Sequence, residues 1–332
     1  MGRISINNMY SFFLGFDSQR LKSSFNYAIK NALIDCFVKN NISYTLDIND
    51  DFKEAIVPSG TDYFSFYAAL KKKNVKVNVI ATNAVSDFYI KKIWKGRELT
   101  LSLDAINYYK KADHLLVYLE SQKELIEKNK ISTPIELIPI LTPDYEDAIG
   151  ENYPLDCFLS NYQIQKGREI IVSYGILTKK ETVMDMRAIA RNCPEKEFIF
   201  FGEISPDALK QKLLEGVTQP KNIHFYKNLP EALYPSFLKH CNKLLLLGDY
   251  LAYPQIMIDC IYRKIPIITY KLSGYDEILN SNDVHIAKTY SSLYDAVNKP
   301  IDEKKVENAY QSLIKSKNDI RLNTYKEKTT IL

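Results

Sequence analysis

Apolar runs and amphipathic stretches alternate along most of this chain, and the runs are continuous rather than every-second-residue. Unbroken apolar strands are those buried on both faces, as in a parallel sheet with helices on either side. The pattern is densest from Ile223 to Leu279. There LLLL (Leu244 to Leu247) and IPIITY (Ile265 to Tyr270) predict two buried strands flanking a polar loop, GDYLAYPQ, and a helix, IMIDCIYRK. In an open α/β sheet ligands bind outside the carboxyl ends of the strands, so this loop and helix are the first place to expect chemistry.

Taken in order, the first half predicts strands over Ile4 to Met9, Ser43 to Ile48, Ala55 to Val57 and Val75 to Val85, then His114 to Leu119 and Pro134 to Ile140. Between Met9 and the first helix, SFFLGFDSQ reads as a loop whose Gly15 precedes a helix from Ser18 to Val38, striped by Leu21, Phe25, Ile29, Leu33 and Phe37. A glycine loop entering a helix amino terminus is one way of cradling phosphate. Ser86 to Gly96 is basic and aromatic. On a helix it would gather Phe88, Ile90, Ile93 and Trp94 on one side with Lys91, Lys92 and Lys95 around them, the composition of a membrane-surface segment or of an ordinary surface helix with Trp94 packed inward. Further helices are expected over Leu103 to Ala112 and over SQKELIEKN, capped by its serine.

The alternation breaks between Leu141 and Gln165 and resumes at Glu169. It continues through helix TVMDMRAIARN, strand FIFFGE, helix PDALKQKLLEG, strand IHFY, the dense stretch and a last strand, VHIAK. The expected organisation is two Rossmann-like doubly wound parallel-sheet domains, 1–145 and 167–302, facing a central cleft. A linker at 146–166 joins them, and a Lys-rich helical tail at 303–332 is a candidate to cross back to the first domain.

Composition narrows the partners. A net charge of +4 over 332 residues is too small for a nucleic-acid footprint, although KKK at Lys71 to Lys73 and KKIWKGR at Lys91 to Arg97 concentrate basic charge in the first third. Those clusters are a solvated face or a patch for an anionic membrane. Five scattered cysteines without CxxC spacing argue for a reducing compartment and against a disulfide or zinc framework. The amino terminus lacks signal-peptide features, and no run approaches the length of a membrane span. The expectation is a cytoplasmic protein, peripheral on the inner face of the cell membrane.

Five segments, in order, resemble the GT-B retaining glycosyltransferases of family 4: YYKKADHLLVYLESQKELIEKNKISTPIELIPI, SYGILTKKE, FIFFGE, FYKNLPEALYPSFLKHCNKLLLL and IDCIYRKIPIITYKLSGYDEIL. The resemblance spans nearly the whole chain. It implies a nucleotide-sugar donor, UDP-glucose above all, held by the second domain, an acceptor held by the first, and neither cofactor nor metal. Donor contacts implied are Gly15, Gly175, Lys180, Gly202, Tyr226, Leu229 and Asp259. Asn83 falls at a catalytic position, Asp249 would serve at another if the loop shifts by two residues from Leu251, and Lys91, Lys92, Trp94 and Lys95 would meet the membrane. Several family residues are replaced: Ile176 stands for an arginine, Glu181 for a lysine that Lys180 supplies one residue earlier, and Asn83 for a histidine. Of a glutamate pair separated by seven residues, Leu251 replaces the first and Asp259 the second. Pro254 removes a backbone donor.

Short family members include diacylglycerol-linked glucosyltransferases, which implies a glycolipid acceptor such as monoglucosyldiacylglycerol. A capsule, teichoic-acid or protein-linked sugar stays open as acceptor, and so does a catalytically degenerate partner subunit. An epimerase or dehydrogenase is disfavoured, since no GxGxxG follows the first strand.

Overall fold

The computed structural model describes residues 10–16, 24–81, 87–93, 96–138, 155–177, 179–204, 219–226, 234–247, 254–270, 275–279 and 282–313. The first half contains β1 (Tyr10–Leu14), α1 (Ser24–Lys39), β2 (Tyr44–Thr45), β3 (Phe52–Pro58), α2 (Thr61–Lys73), β4 (Lys76–Ile80), β5 (Phe88–Ile93), β6 (Gly96–Leu101), α3 (Leu103–Tyr109), β7 (His114–Val117), α4 (Glu120–Lys128) and β8 (Ile135–Leu137). After α5 (Leu155–Asn161), the second half runs β9 (Glu169–Leu177), α6 (Lys180–Asn192), β10 (Lys196–Ile204), β11 (Ile223–Tyr226), α7 (Tyr234–His240), β12 (Lys243–Leu246), α8 (Pro254–Tyr262), β13 (Ile267–Tyr270), β14 (His285–Ala287) and α9 (Tyr290–Asn298). A last helix, α10, covers 303–313.

Each half is built on a six-stranded parallel sheet. The first has the order β2-β1-β3-β4-β7-β8 and the second β11-β10-β9-β12-β13-β14. Both orders reverse direction beside their first strand, next to β1 in one and between β9 and β12 in the other, and such switch points open a crevice for ligands. The strands bury both faces. In the first sheet Phe13, Val57, Val79 and Leu115 face one apolar cluster, while Phe12, Leu14, Ile56 and Leu116 face another. In the second, Phe198, Phe200 and Leu245 pack under α6 and α9. Ile199, Phe201, Leu244 and Leu246 point the opposite way, into the cluster shared with the first half.

That shared cluster is the seam. Ile29, Leu33 and Phe37, the predicted stripe of α1, are buried in it together with Ile256, Met257 and Ile261 of α8. The two helices pack directly against each other. α10 closes the second half from below, with Leu313 buried and Lys305 Nζ donating to the Val284 carbonyl at 2.9 Å.

Three sequence expectations are corrected, and one stretch gains an element. SFFL is not a loop but most of β1, because it pairs with β2 on one side and β3 on the other; Ile4 to Met9 lies outside the described residues. Ser121 does not cap α4: the cap residue is Leu119, without a side-chain hydrogen bond. The break before Glu169 contains a helix, α5.

The largest change is at Ser86 to Gly96, where an antiparallel hairpin replaces the expected helix. β5 and β6 pair from Phe88↔Leu101 to Ile93↔Gly96, leaving a two-residue connection. The side chains follow a period of two: Phe88 packs inward while Tyr89 is 60% exposed. The hairpin root is fixed by Asp87, only 1% exposed, whose carboxylate accepts from Ser59 Oγ at 2.6 Å, from Tyr109 OH at 3.3 Å and from Tyr108 OH. Burial, then the Asp87 charge, pushes the Tyr108 phenol well above its ordinary range. Asp87→Ala strands these hydroxyls and is expected to destabilise the first domain by roughly 2–3 kcal/mol, read as a lower melting temperature.

At the amino ends of the second sheet's strands, away from the crevice, Glu169 pairs with Lys196 and with Lys243 at 3.0 Å. Burial alone would raise the Glu169 carboxyl, but hydrogen bonds and charge from the two lysines outweigh it and hold it below 4.5. A carboxyl lowered on folding contributes stability that is complete above its unfolded value and lost as pH falls through the folded one. Acid melts below pH 4.5 are therefore expected to fall less steeply in Glu169→Gln than in the parent.

Candidate functional site

Two glycines shape the carboxyl end of β9, the strand that borders the second switch point. Gly175 near the end of β9 stands opposite Gly202 near the end of β10. Both have positive φ, 125° and 142°. A Cβ on Gly202 would lie 2.0 Å from the Gly175 carbonyl oxygen, so two backbones meet where no side chain fits. On its other side Gly175 approaches the carbonyl of Leu247, the residue after β12. Gly15, at the end of β1, is required for a different reason: a Cβ there would sit 2.5 Å from Val57 Cγ1.

Lys180 opens α6 immediately beyond β9, and the Lys179 side chain does not cap the helix. The helix amino terminus therefore lies at the crevice end of the sheet, where the aligned peptide dipoles present a partial positive charge.

Asp259 lies on α8 and is 0% exposed. Its Oδ1 accepts from Gln255 Nε2 at 2.8 Å, one helical turn away. Two tyrosines crowd it from different domains. Tyr174 of β9 is buried beneath α8 and Tyr118 follows β7 of the first half. Burial, and then the Asp259 charge, push the Tyr118 phenol far up, and among the described residues its hydroxyl has no hydrogen-bond partner. For Tyr174 burial is again the main cause, followed by Cys260 and Asp259. Beside them Gln122 braces the first half, accepting from Tyr118 N at 3.0 Å and donating to the Ala81 carbonyl.

Tyr226, at the end of β11, sits in an aromatic group with Tyr162 and Phe201 at ring separations of 4.8 and 5.9 Å, and its hydroxyl donates to the Tyr162 carbonyl. It ties the sheet to the chain entering the domain. Lys91 is exposed on β5, and Lys92 is on the same strand. Asn83, Asp249, Leu251, Leu229, Trp94 and Lys95 lie outside the described residues. The structure thus brings Gly175, Gly202 and Lys180 to one sheet end, and Asp259 to the adjoining seam.

Sequence reasoning missed Tyr118, Gln255 and Asp87. For Asp87 a signal existed: an acid beside an apolar strand start has to find buried donors. Among the described residues no group of three His, Cys, Asp or Glu is placed to hold a metal ion, and all five cysteines are free.

No protein-family model and no curated protein sequence matches the chain. Solved structures do. HepE from Anabaena, in complex with UDP and glucose, superposes with a TM-score of 0.59 at 9% identity, over 98% of this chain and 100% of its own. Sucrose-phosphate synthase from Thermosynechococcus elongatus gives 0.51 at 12% identity, over 95% of this chain and 80% of its own. The chain has the GT-B fold: two Rossmann-like domains joined face to face.

Proposed function

We propose that this protein is a retaining glycosyltransferase that moves a hexose, glucose from UDP-glucose, onto a membrane glycolipid such as monoglucosyldiacylglycerol. The observation that carries the reading is the carboxyl end of β9 beside the second switch point, where Gly175 and Gly202 bring two side-chain-free backbones together and α6 begins just beyond the strand. A nucleotide diphosphate suits this end of a sheet: the helix amino terminus and Lys180 stabilise negative charge as it builds on the leaving group. Asp259 takes the ribose hydroxyls from the adjoining seam. Asn83 and Asp249 hold the reacting sugar, with the donor phosphate taking the proton of the acceptor hydroxyl. The fold likeness to a protein crystallised with UDP and glucose supports the choice of donor.

The acceptor reading rests on the basic hairpin. Lys91 and Lys92 lie on β5, the first strand of the hairpin, and Trp94 and Lys95 follow them directly in the sequence. Each lysine near an anionic surface contributes about 1 kcal/mol. Reversing Lys91, Lys92 and Lys95 to glutamate is therefore expected to weaken vesicle binding more than about a hundredfold. Co-sedimentation with phosphatidylserine vesicles measures it.

The test of the function is a donor screen by UDP release, with glucosyldiacylglycerol in anionic vesicles. Turnover with UDP-glucose that depends on the lipid supports the reading, and no release across donors and acceptors overturns it. A second reading, a non-catalytic partner subunit, is favoured by Leu251 in place of a glutamate; it predicts no nucleotide binding and co-purification with an active transferase.

A further inference from the structure

α4 has no cap of its own. Its chain enters from Leu119 in extended conformation with no side-chain hydrogen bond, which leaves the first amides to find partners elsewhere. They find Glu277, on a short 3-10 turn after β13 in the other domain. Glu120 N donates to Glu277 Oε2 at 2.6 Å and Ser121 N to Oε1 at 3.2 Å. A carboxylate on a helix amino terminus is held by charge as well as by hydrogen bonds.

Immediately behind this contact the seam is shut. Leu119 and Tyr118 are buried in the cluster that contains α1 and α8, and Asp259 beneath them has no exposed surface. The shut seam also carries an opposing term. The Tyr118 hydroxyl is buried and meets no hydrogen-bond partner among the described residues, which disfavours closure.

The geometry points to Glu277 as an interdomain clasp: it holds the protein in a resting state closed over Asp259, and ligand reaches the seam only when the contact with α4 releases. Clasp and orphan hydroxyl pull in opposite directions, which is how a two-state element stays close to balance. The clasp follows from the contacts alone. That the entering ligand is a nucleotide sugar rests on the proposed function.

Two variants break the contact from opposite sides. Glu277→Ala removes the carboxylate. Glu120→Pro removes the shorter amide donor at the first helical position, where proline is favoured, after a residue whose extended backbone already suits it. Hydrogen exchange on the full chain, without ligand, is read along α8 and along β4 and β10. Each variant is expected to speed exchange in α8 at least tenfold and to leave β4 and β10 unchanged, and the double variant should match Glu277→Ala, which already removes both amide contacts, one of which Glu120→Pro removes. Unchanged exchange in α8 in both variants, or additive effects, overturns the clasp. Should Glu277→Ala fail to fold, Glu120→Pro alone decides. In a separate arm UDP is mixed with each protein by stopped flow, and association is expected to be faster in the variants. Faster α8 exchange with no UDP binding in any protein leaves the clasp standing and sinks the donor reading; faster exchange with unchanged UDP association shows that the clasp does not gate the site and overturns that half of the proposal.

Discussion

Gly202→Ala is expected to destabilise the second domain by about 3 kcal/mol or more, the sum of a left-handed backbone strain and an overpacked contact. The position has φ of 142°, which L side chains rarely adopt, and the new Cβ would meet the Gly175 carbonyl at 2.0 Å. Backbone rather than a flexible side chain is in the way, so relief requires β9 and β10 to separate where they pair from Lys196↔Glu169 to Ile204↔Leu177. Denaturant melts should show the midpoint of the second domain fall while the first is spared. Gly167→Ala is the control: its φ is also positive, at 86°, but nothing lies within 4 Å of the added atom. A larger loss in Gly167→Ala than in Gly202→Ala would mean that the close approach is not what makes Gly202 necessary.

The second large effect is at Asp259. If its carboxylate takes two ribose hydroxyls, Asp259→Ala removes two charge-assisted hydrogen bonds and is expected to cost about 3 kcal/mol or more of donor affinity, at least a hundredfold. The residue is wholly buried and hydrogen-bonded to Gln255, so the alanine variant also disturbs the seam. Asp259→Asn keeps the shape and an acceptor oxygen while removing the charge. It should hold the melting temperature near that of the parent and still lose at least tenfold in affinity. Equal affinity in the asparagine variant would mean that the carboxylate does not touch the nucleotide.

Much of this architecture was legible in the sequence because fully buried strands advertise themselves. Glu169 to Leu177 and Leu244 to Leu247 are continuous apolar runs, and each is a strand at the centre of its sheet. The stripe of α1 was legible for the same reason, as Ile29, Leu33 and Phe37 face the seam. What failed was local. DFYIKKI carries apolar residues that satisfy helical and strand spacing alike, and only the pairing with RELTL, across a two-residue connection, decides between them. The serine expected to cap α4 is one residue inside the helix, because the true cap comes from Glu277, 156 positions further along the chain. No local pattern encodes such a contact. The glycines of the switch point were readable as candidates, but their reason, mutual backbone approach, depends on the register of two strands.

The central claim is a nucleoside diphosphate site at the second switch point and the adjoining seam. It is tested most directly by calorimetric titration of the full chain with UDP, alongside Asp259→Asn. One saturable site per chain is expected in the parent, with at least tenfold weaker binding in the variant at unchanged melting temperature. No heat of binding with UDP or any other nucleoside diphosphate, or equal affinity in the two proteins, would contradict it.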